Sequence, residues 1–278
     1  MATVLSISSQ VVRGHVGNSA AVFVLQRLGH EVLQLPTVLL SNHPGHRHCA
    51  GEHISPDLLR RMLVALDDNG WLSTVDAIAT GYLPSVEHVR VACAALALIR
   101  GHNASARYFC DPVIGDDPNG LYIEAAAAGA LRDELLSKAD VAFPNRFELS
   151  WLTGEPVDSP DQAMRAAKKT GAVTVVATSV PGDAAVLGTM LVTSDNAQLA
   201  QVAKMTSVPH GTGDMLAALF MAHTLAGATK HHALQHAVGS VQAAIAASQG
   251  HDELNLARFQ DRWLNAAPVR TTAFGNGR

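Results

Sequence analysis

Residues 211–220 read GTGDMLAALF and form the most informative stretch of the chain. Two glycines flank a threonine, and a strong helix-forming run follows Asp214 directly. Glycine lets successive backbone N–H groups point outward, and the start of a helix adds partial positive charge. The pattern therefore predicts a turn that binds a phosphate or a similar anion, with an acid at its edge. That acid could accept a proton from an attacking hydroxyl, but four residues alone are equally consistent with a helix cap.

Upstream of this turn, short apolar runs alternate with longer helical segments. The runs are continuously apolar, as is typical of strands that are buried on both faces. Strands are predicted at residues 3–8, 31–35, 77–80, 108–110, 141–143 and 173–177. Because strands and helices alternate, we expect a mostly parallel sheet with helices on both faces.

The segments between and after these strands complete the predicted layout. Ser55 and Ser159 each precede a proline and an acid, as at a helix start, and Gln162 predicts a capping box with Ser159. Residues 184–193 are interpreted as a hairpin, and residues 213 to about 264 as helical. We interpret the polar residues 41–55 as a lid loop over a site, and residues 265–278 as a flexible tail. One α/β domain over residues 1–278 is expected.

Composition argues against several classes of partner. Hydrophobic residues make up 48% of the 278 residues and charged residues 16%, against ~25% charged residues in typical soluble domains. The 20 Lys and Arg against 24 Asp and Glu give a net charge of −4, which argues against nucleic acids and anionic membranes. Three unpatterned cysteines, no basic leader and no long apolar run lead us to expect a soluble cytoplasmic protein.

Several familiar motifs are missing. No Gly-Lys dipeptide occurs, so a Walker-type phosphate loop is excluded. Leu216 stands where the third glycine of a dinucleotide fingerprint would follow Gly211 and Gly213. The chain also lacks the G-x-S-x-G elbow of hydrolases and the H-E-x-x-H motif of zinc proteases.

A series of short motifs nevertheless runs in order from Ser9 to about Leu225. They are Ser9-Gln10-Val11-Val12 with Gly14 and Gly17-Asn18-Ser19, residues 36–42, Thr80-Gly81-Tyr82, residues 111–116, Pro144-Asn145, Phe147-Glu148-Leu149, Thr153-Gly154 and the turn at 211–214. In this combination the chain resembles the pyridoxal kinases of the ribokinase superfamily. The resemblance implies a ribokinase-like three-layer αβα sandwich with a small lid. It also implies ATP-dependent phosphorylation of the 5′-hydroxymethyl group of pyridoxal, pyridoxine or pyridoxamine.

The resemblance also assigns roles. It implies that Asp214 is the catalytic base and that Gly211, Thr212 and Gly213 form an anion hole. The residues implied to contact the vitamer are Ser9, His46, Tyr82 and Asp214. Those implied to contact ATP are Asp111, Asp116, Tyr122, Asn145, Glu148, Thr178, Ser179, Gly211 and Gly213. Asp111 and Glu148 are also implied to hold Mg²⁺, K⁺ is a second candidate cation, and a homodimer is expected.

Structural interpretations stay open beside these roles. Asp111 and Asp116 are also typical of turns, Glu148 of a solvated helix face, and Tyr82 of a core. The histidines of the lid loop suggest zinc, but their spacing fits no usual ligand pattern. Two departures from the resemblance stand out, because relatives carry Tyr at Arg13 and Thr at Phe143.

Two alternative functions remain at the level of the sequence. The first is a hydroxymethylpyrimidine kinase of the same superfamily, because that substrate is also a flat nitrogen ring with a hydroxymethyl group. The second is a non-catalytic protein that binds vitamin B6, although a binding protein does not require the acid at Asp214.

Overall fold

Ten strands form one sheet in the computed structural model, which describes residues 1–183 and 185–275. In chain order the strands are β1 Thr3–Val11, β2 Glu31–Leu40, β3 Gly51–His53, β4 Ala77–Thr80, β5 Arg107–Cys110, β6 Gly115–Asp116, β7 Gly120–Leu121, β8 Val141–Ala142, β9 Val175–Pro181, β10 Val186–Val192, β11 Ala197–Ala203 and β12 Thr271–Phe274. Strands β6 and β7 pair with each other as a small separate hairpin.

Nine α-helices accompany these strands in the described part of the chain. They are α1 Asn18–Arg27, α2 Pro56–Asp68, α3 Val86–His102, α4 Ala125–Glu134, α5 Arg146–Thr153, α6 Pro160–Lys169, α7 Thr212–Leu225, α8 Lys230–Ala247 and α9 Gln260–Leu264. Two 3₁₀ helices lie at Trp71–Thr74 and Leu136–Lys138. None of the helices in residues 1–183 and 185–275 combines the length and the apolar character that a membrane crossing requires.

The sheet order is β12-β11-β10-β9-β8-β5-β4-β1-β2-β3. The six central strands, from β9 to β2, run parallel, while β10, β11, β12 and β3 add antiparallel pairs at the two edges. The mostly parallel α/β sheet expected from the apolar runs is therefore confirmed. In such sheets, ligands bind beyond the carboxyl ends of the strands.

Helices cover both faces of the sheet and give three layers. On one face, α1, α7, α8 and Trp263 pack into a single apolar cluster. On the other face, α2, α3 and α4 pack over Ile78 and Tyr108, and α6 covers the edge built by β9, β10 and β11. The inner parallel strands β1, β4, β5 and β8 are thus buried from both sides, which explains their uninterrupted apolar runs, whereas β2 is partly exposed.

Two predicted segments differ from the structure. Residues 186–192 of the predicted hairpin are the single strand β10, which pairs with β9 and β11, and Ala184 lies outside the described residues. The predicted tail at 265–278 is wrong for residues 271–274, which form β12 along β11 because Phe274 packs on the apolar cluster there. Residues 276–278 lie outside the described part.

The helix caps also differ in part from the prediction. Ser55 and Ser159 cap α2 and α6 as expected. However, Gln162 Oε1 accepts the N–H of Asp158 at 2.6 Å, so the predicted capping box with Ser159 is not formed. The lid loop contains the short strand β3, which pairs with β2, so its irregular part is residues 41–50.

Candidate functional site

Helix α7 fixes the glycine-rich turn to the core. It begins at Thr212, directly after Gly211, and residues 215–222 are all buried. A helix that is apolar on every side is held by packing around its whole circumference. Asp214 in the first turn is therefore carried on a rigid support, and its side chain is half-buried.

The carboxylate of Asp214 is partly desolvated. Burial raises the pKa of Asp214 to about 6, although the backbone N–H groups of Gly17 and of Asp214 itself hydrogen-bond to the charged form and lower the pKa. The positive end of the α7 dipole also favours the charged form. Because desolvation outweighs these effects, Asp214 has the proton affinity expected of a general base that works near neutral pH.

The loop between β1 and α1 contacts the turn from the other side. Gly211 has a φ of +92°, and a Cβ placed there would lie 1.8 Å from the carbonyl oxygen of His15. Only glycine fits such an approach. The loop and the turn are therefore in direct backbone contact, which places the Gly17 amide beside Asp214.

Ser9 lies where the pairing of β1 with β2 is irregular. The register shifts between Ser8 and Gln10, so Ser9 faces two residues of β2, Thr37 and Val38, and the β-bulge lies on β2. Bulges redirect a side chain away from the plane of the sheet and are frequent beside active sites. A Cβ on Gly17 would lie 2.2 Å from Ser9 Oγ, so the same loop also packs against the Ser9 hydroxyl.

Tyr82 is held at the end of the neighbouring strand β4. Its N–H donates to Ser8 Oγ at 3.2 Å, and its carbonyl accepts the Thr37 hydroxyl at 2.7 Å. The ring is half-buried, and burial raises the pKa of the Tyr82 phenol. Part of the ring packs on the apolar cluster and part is exposed, so the structure is compatible with the core interpretation, and contact with a substrate stays a prediction.

Asp111 and Glu148 form an acidic pair near Asp214. Asp111 directly follows β5, and its pKa is raised by burial and by the charges of Glu148 and Asp214. Both charges act on Asp111, so its carboxylate lies within electrostatic range of Glu148 and of Asp214. A cation beside Asp111 would remove this repulsion.

Glu148 also builds the start of helix α5. Glu148 Oε2 accepts the N–H of Asn145 at 2.8 Å, and Asn145 Oδ1 accepts the N–H of Glu148 at 2.9 Å, which completes a capping box. Glu148 Oε1 accepts the N–H of Ile114 at 3.1 Å. The solvated-face interpretation is wrong, because the side chain is buried and desolvation raises its pKa.

Asn145 and Glu148 also hold the small hairpin of β6 and β7. Asn145 Nδ2 donates to the carbonyl of Gly115 at 2.8 Å, directly before Asp116. Burial together with the nearby Asp116 carboxylate raises the pKa of Tyr122. Asp116, Tyr122, Asn145 and Glu148 thus form one group around the β6–β7 hairpin and the start of α5.

Thr178 and Ser179 lie at a second bulge. The pairing of β9 with β10 shifts opposite these two residues, and Ser179 has a φ of +55°. A serine rarely adopts this left-handed conformation, which marks a locally strained backbone. The N–H of Thr178 donates to Pro144 O at 2.9 Å, so this bulge lies beside the cap of α5.

The lid loop contacts the site through two histidines. The ring of His43 stacks on His210, which precedes the glycine turn, with ring centroids 3.7 Å apart. Burial and the neighbouring His210 and His46 lower the pKa of His43 to about 4. His46 Nε2 lies 2.9 Å from Oε1 of Glu253. In residues 1–183 and 185–275, no three His, Cys, Asp or Glu side chains are placed as metal ligands.

Sequence reasoning missed Glu253 and gave no role to Phe143. Phe143 is buried and packs edge-on against Phe220 of α7 with ring centroids 5.7 Å apart, so it supports the helix that carries Asp214. Glu253 belongs to no motif, and only the fold brings it to His46 and Arg13. The β-bulges likewise left no signal in the apolar runs.

The close approach at Gly211 makes a testable prediction. We expect Gly211→Ala to lower the free energy of unfolding by at least about 2 kcal/mol, because it adds left-handed strain and a clash with His15. Urea titration of both variants measures the difference. Gly213→Ala is the matched control, since no atom lies within 4 Å of a Cβ at Gly213. Equal stability of the two variants would contradict the described loop contact.

Comparison with known proteins agrees with this geometry. The family model of the phosphomethylpyrimidine kinases matches residues 28–257. The pyridoxal kinase PdxY of Leifsonia xyli subsp. xyli is 37% identical to this chain, and the match covers 94% of this chain and 95% of that protein. The pyridoxal kinase PdxY of Rubrobacter xylanophilus is 36% identical, with 96% of this chain and 95% of that protein covered. The structure of the Leishmania donovani pyridoxal kinase with ADP and pyridoxamine has a TM-score of 0.94 and 32% identity, covering 99% of this chain and all of that one. The chain is therefore a member of the pyridoxal kinases of the ribokinase-like superfamily.

Proposed function

We propose that this kinase transfers the terminal phosphoryl group of ATP to the 5′-hydroxymethyl group of a vitamin B6 vitamer, with Asp214 accepting the hydroxyl proton. The observation that carries the assignment is the desolvated Asp214 carboxylate at the start of buried helix α7, with its pKa raised to about 6. Such a carboxylate is charged at pH 7 and still able to hold a proton during transfer. Phosphoryl transfer depends mainly on positioning and charge stabilisation, so a moderate base is sufficient.

On the substrate side, Ser9, Tyr82 and His46 are proposed to bind the vitamer. Ser9 lies opposite the β-bulge of β2, and Tyr82 offers a half-exposed aromatic ring for a pyridine to pack against. His46 reaches the same region from the lid loop. The hydroxymethyl group is then directed toward Asp214. Gly17 links the two sites, because it packs against Ser9 and its backbone N–H hydrogen-bonds to Asp214.

On the nucleotide side, the start of α7 is proposed to bind the phosphates. Backbone N–H groups of Gly211, Thr212 and Gly213 belong to a helix terminus that favours anions. The connected group of Asp116, Tyr122 and Asn145, together with the bulge at Thr178 and Ser179, is proposed to contact the remaining parts of ATP.

Asp111 and Glu148 fit a divalent cation. Asp111 is half-buried and Glu148 is buried, the charge of Glu148 raises the pKa of Asp111, and Mg²⁺ prefers oxygen ligands. Glu148 already accepts backbone N–H groups with both oxygens, so we propose that Asp111 holds Mg²⁺ directly and Glu148 through water. When bound, the cation neutralises phosphate charge. K⁺ is proposed as a second, monovalent cation.

A cytoplasmic homodimer is the proposed working form. Cys49, Cys93 and Cys110 are all free thiols, which is consistent with a reducing compartment. Assembly into a dimer rests on the family resemblance, and sedimentation of the purified protein measures it directly.

Replacing the base gives the sharpest test of the assignment. We expect Asp214→Asn to lower kcat at least about 100-fold while the KM for ATP changes less than about twofold, because the amide binds no proton but keeps the shape. ADP formation with pyridoxal and Mg²⁺ measures both constants. Asp161→Asn is the matched control, since Asp161 lies exposed in the first turn of α6 and should not affect catalysis. Retained kcat in Asp214→Asn would exclude the proposed base.

The match to the family model of the phosphomethylpyrimidine kinases makes hydroxymethylpyrimidine the second candidate substrate. We expect kcat/KM for pyridoxal, pyridoxine or pyridoxamine to exceed that for hydroxymethylpyrimidine by about tenfold or more. The physical reason is that sites that bind a ring hydroxyl discriminate against rings that lack it. Competition of the substrates in one ADP assay measures the ratio, and a preference for the pyrimidine would reverse the assignment.

A further inference from the structure

Glu253 is a buried carboxylate between α8 and α9 that belongs to none of the motifs. The residue is 7% exposed. Its Oε1 atom lies 2.9 Å from His46 Nε2 of the lid loop and accepts Arg13 Nη1 at 3.3 Å. One oxygen atom therefore joins two segments on the vitamer side of the site.

The loop between β1 and α1 also contacts Glu253 through its backbone. Gly14 has a φ of +101°, and a Cβ there would lie 2.5 Å from Oε2 and 2.8 Å from Cδ of Glu253. The next residue, His15, lies within the electrostatic range of the same carboxylate. Burial lowers the pKa of His15, and the negative charge of Glu253 opposes this shift but is the smaller effect. The carboxylate thus packs directly on the loop that covers Ser9 and contacts Gly211.

We propose that Glu253 is a positioning residue that holds the lid loop, through His46, against the β1–α1 loop, and so shapes the pocket for the vitamer ring. The proposal rests on the proposed function for the identity of the substrate. It assigns no chemical step to Glu253, which acts on the vitamer pocket only through its contact with His46. Arg13, where relatives carry Tyr, is the second group that this carboxylate holds.

Burial distinguishes Glu253 from its neighbour Asp252. Both carboxylates bind Arg13, but the side chain of Asp252 is 61% exposed and that of Glu253 only 9%. Exposed ion pairs contribute little to stability, whereas a charge-assisted hydrogen bond that is shielded from water contributes more. Loss of the Glu253 charge should therefore release the lid loop, and loss of the Asp252 charge should not.

Limited proteolysis measures how firmly the lid loop is held, independently of the kinase activity. Arg47 is exposed and is the one trypsin site within residues 41–55. We expect trypsin to cut after Arg47 about tenfold faster in Glu253→Gln than in the wild type, and at the wild-type rate in the control Asp252→Asn. The fragment pattern reveals global unfolding, because an unfolded chain is also cut at Lys168 and Lys169 in α6. Equal rates in all three proteins, or cutting at α6, would overturn the proposal.

Steady-state kinetics separates positioning from mere stability. In Glu253→Gln we expect the KM for pyridoxal to rise about tenfold, with kcat and the KM for ATP within about twofold of the wild type. In a double-mutant cycle, the variant with both His46→Gln and Glu253→Gln should have a KM for pyridoxal only slightly above that of either single variant. Faster cleavage with an unchanged KM for pyridoxal would overturn the role in substrate positioning. Absence of ADP formation by the wild type would contradict the proposed function, while the cleavage rates would still decide whether Glu253 holds the lid loop.

Discussion

Asp214 is a half-buried carboxylate at the start of helix α7, whose residues 215–222 are all buried. The positive end of α7 and the Gly17 amide favour its charged form, but desolvation is the larger effect and raises its pKa to about 6. This balance depends on α7 being immobile, and α7 is immobile because residues 215–222 are packed against the sheet, α1 and α8. The proposed base and the proposed anion-binding turn thus share one support, helix α7.

Backbone contacts that only glycine allows bring the remaining segments to this support. Gly211 touches the carbonyl of His15, and Gly14 touches the carboxylate of Glu253. The β1–α1 loop is consequently held between the turn that carries Asp214 and the segment that carries Glu253. On the other side of the site, Glu148 collects the amides of Asn145 and Ile114, which fixes the acidic pair that it forms with Asp111. The proposed vitamer and nucleotide sides are therefore held by different carboxylates, Glu253 and Glu148.

Much of this arrangement follows from the sequence, since apolar runs located the parallel strands and the motifs located the acids. Local pattern could not show that β1 continues past Ser8, because its last residues pair with β2 beyond a bulge in that strand. It could not show that Glu148 is buried, because its partners Ile114 and Gly115 come from a distant loop. Strand β12 was missed because residues 271–274 acquire their order only from the edge of β11. Glu253 gave no signal for the same reason.

The proton affinity of Asp214 is the property that tests this account most directly. A ¹³C NMR titration of the free protein, labelled at aspartate carboxyls, measures it without interference from substrate or ATP. The signal missing in the spectrum of Asp214→Asn identifies the residue. We predict a midpoint at about pH 6, with the carboxylate charged above it and protonated below it. A midpoint near the ordinary aspartate value of about 4 would show that the carboxylate is fully hydrated, and would contradict the account.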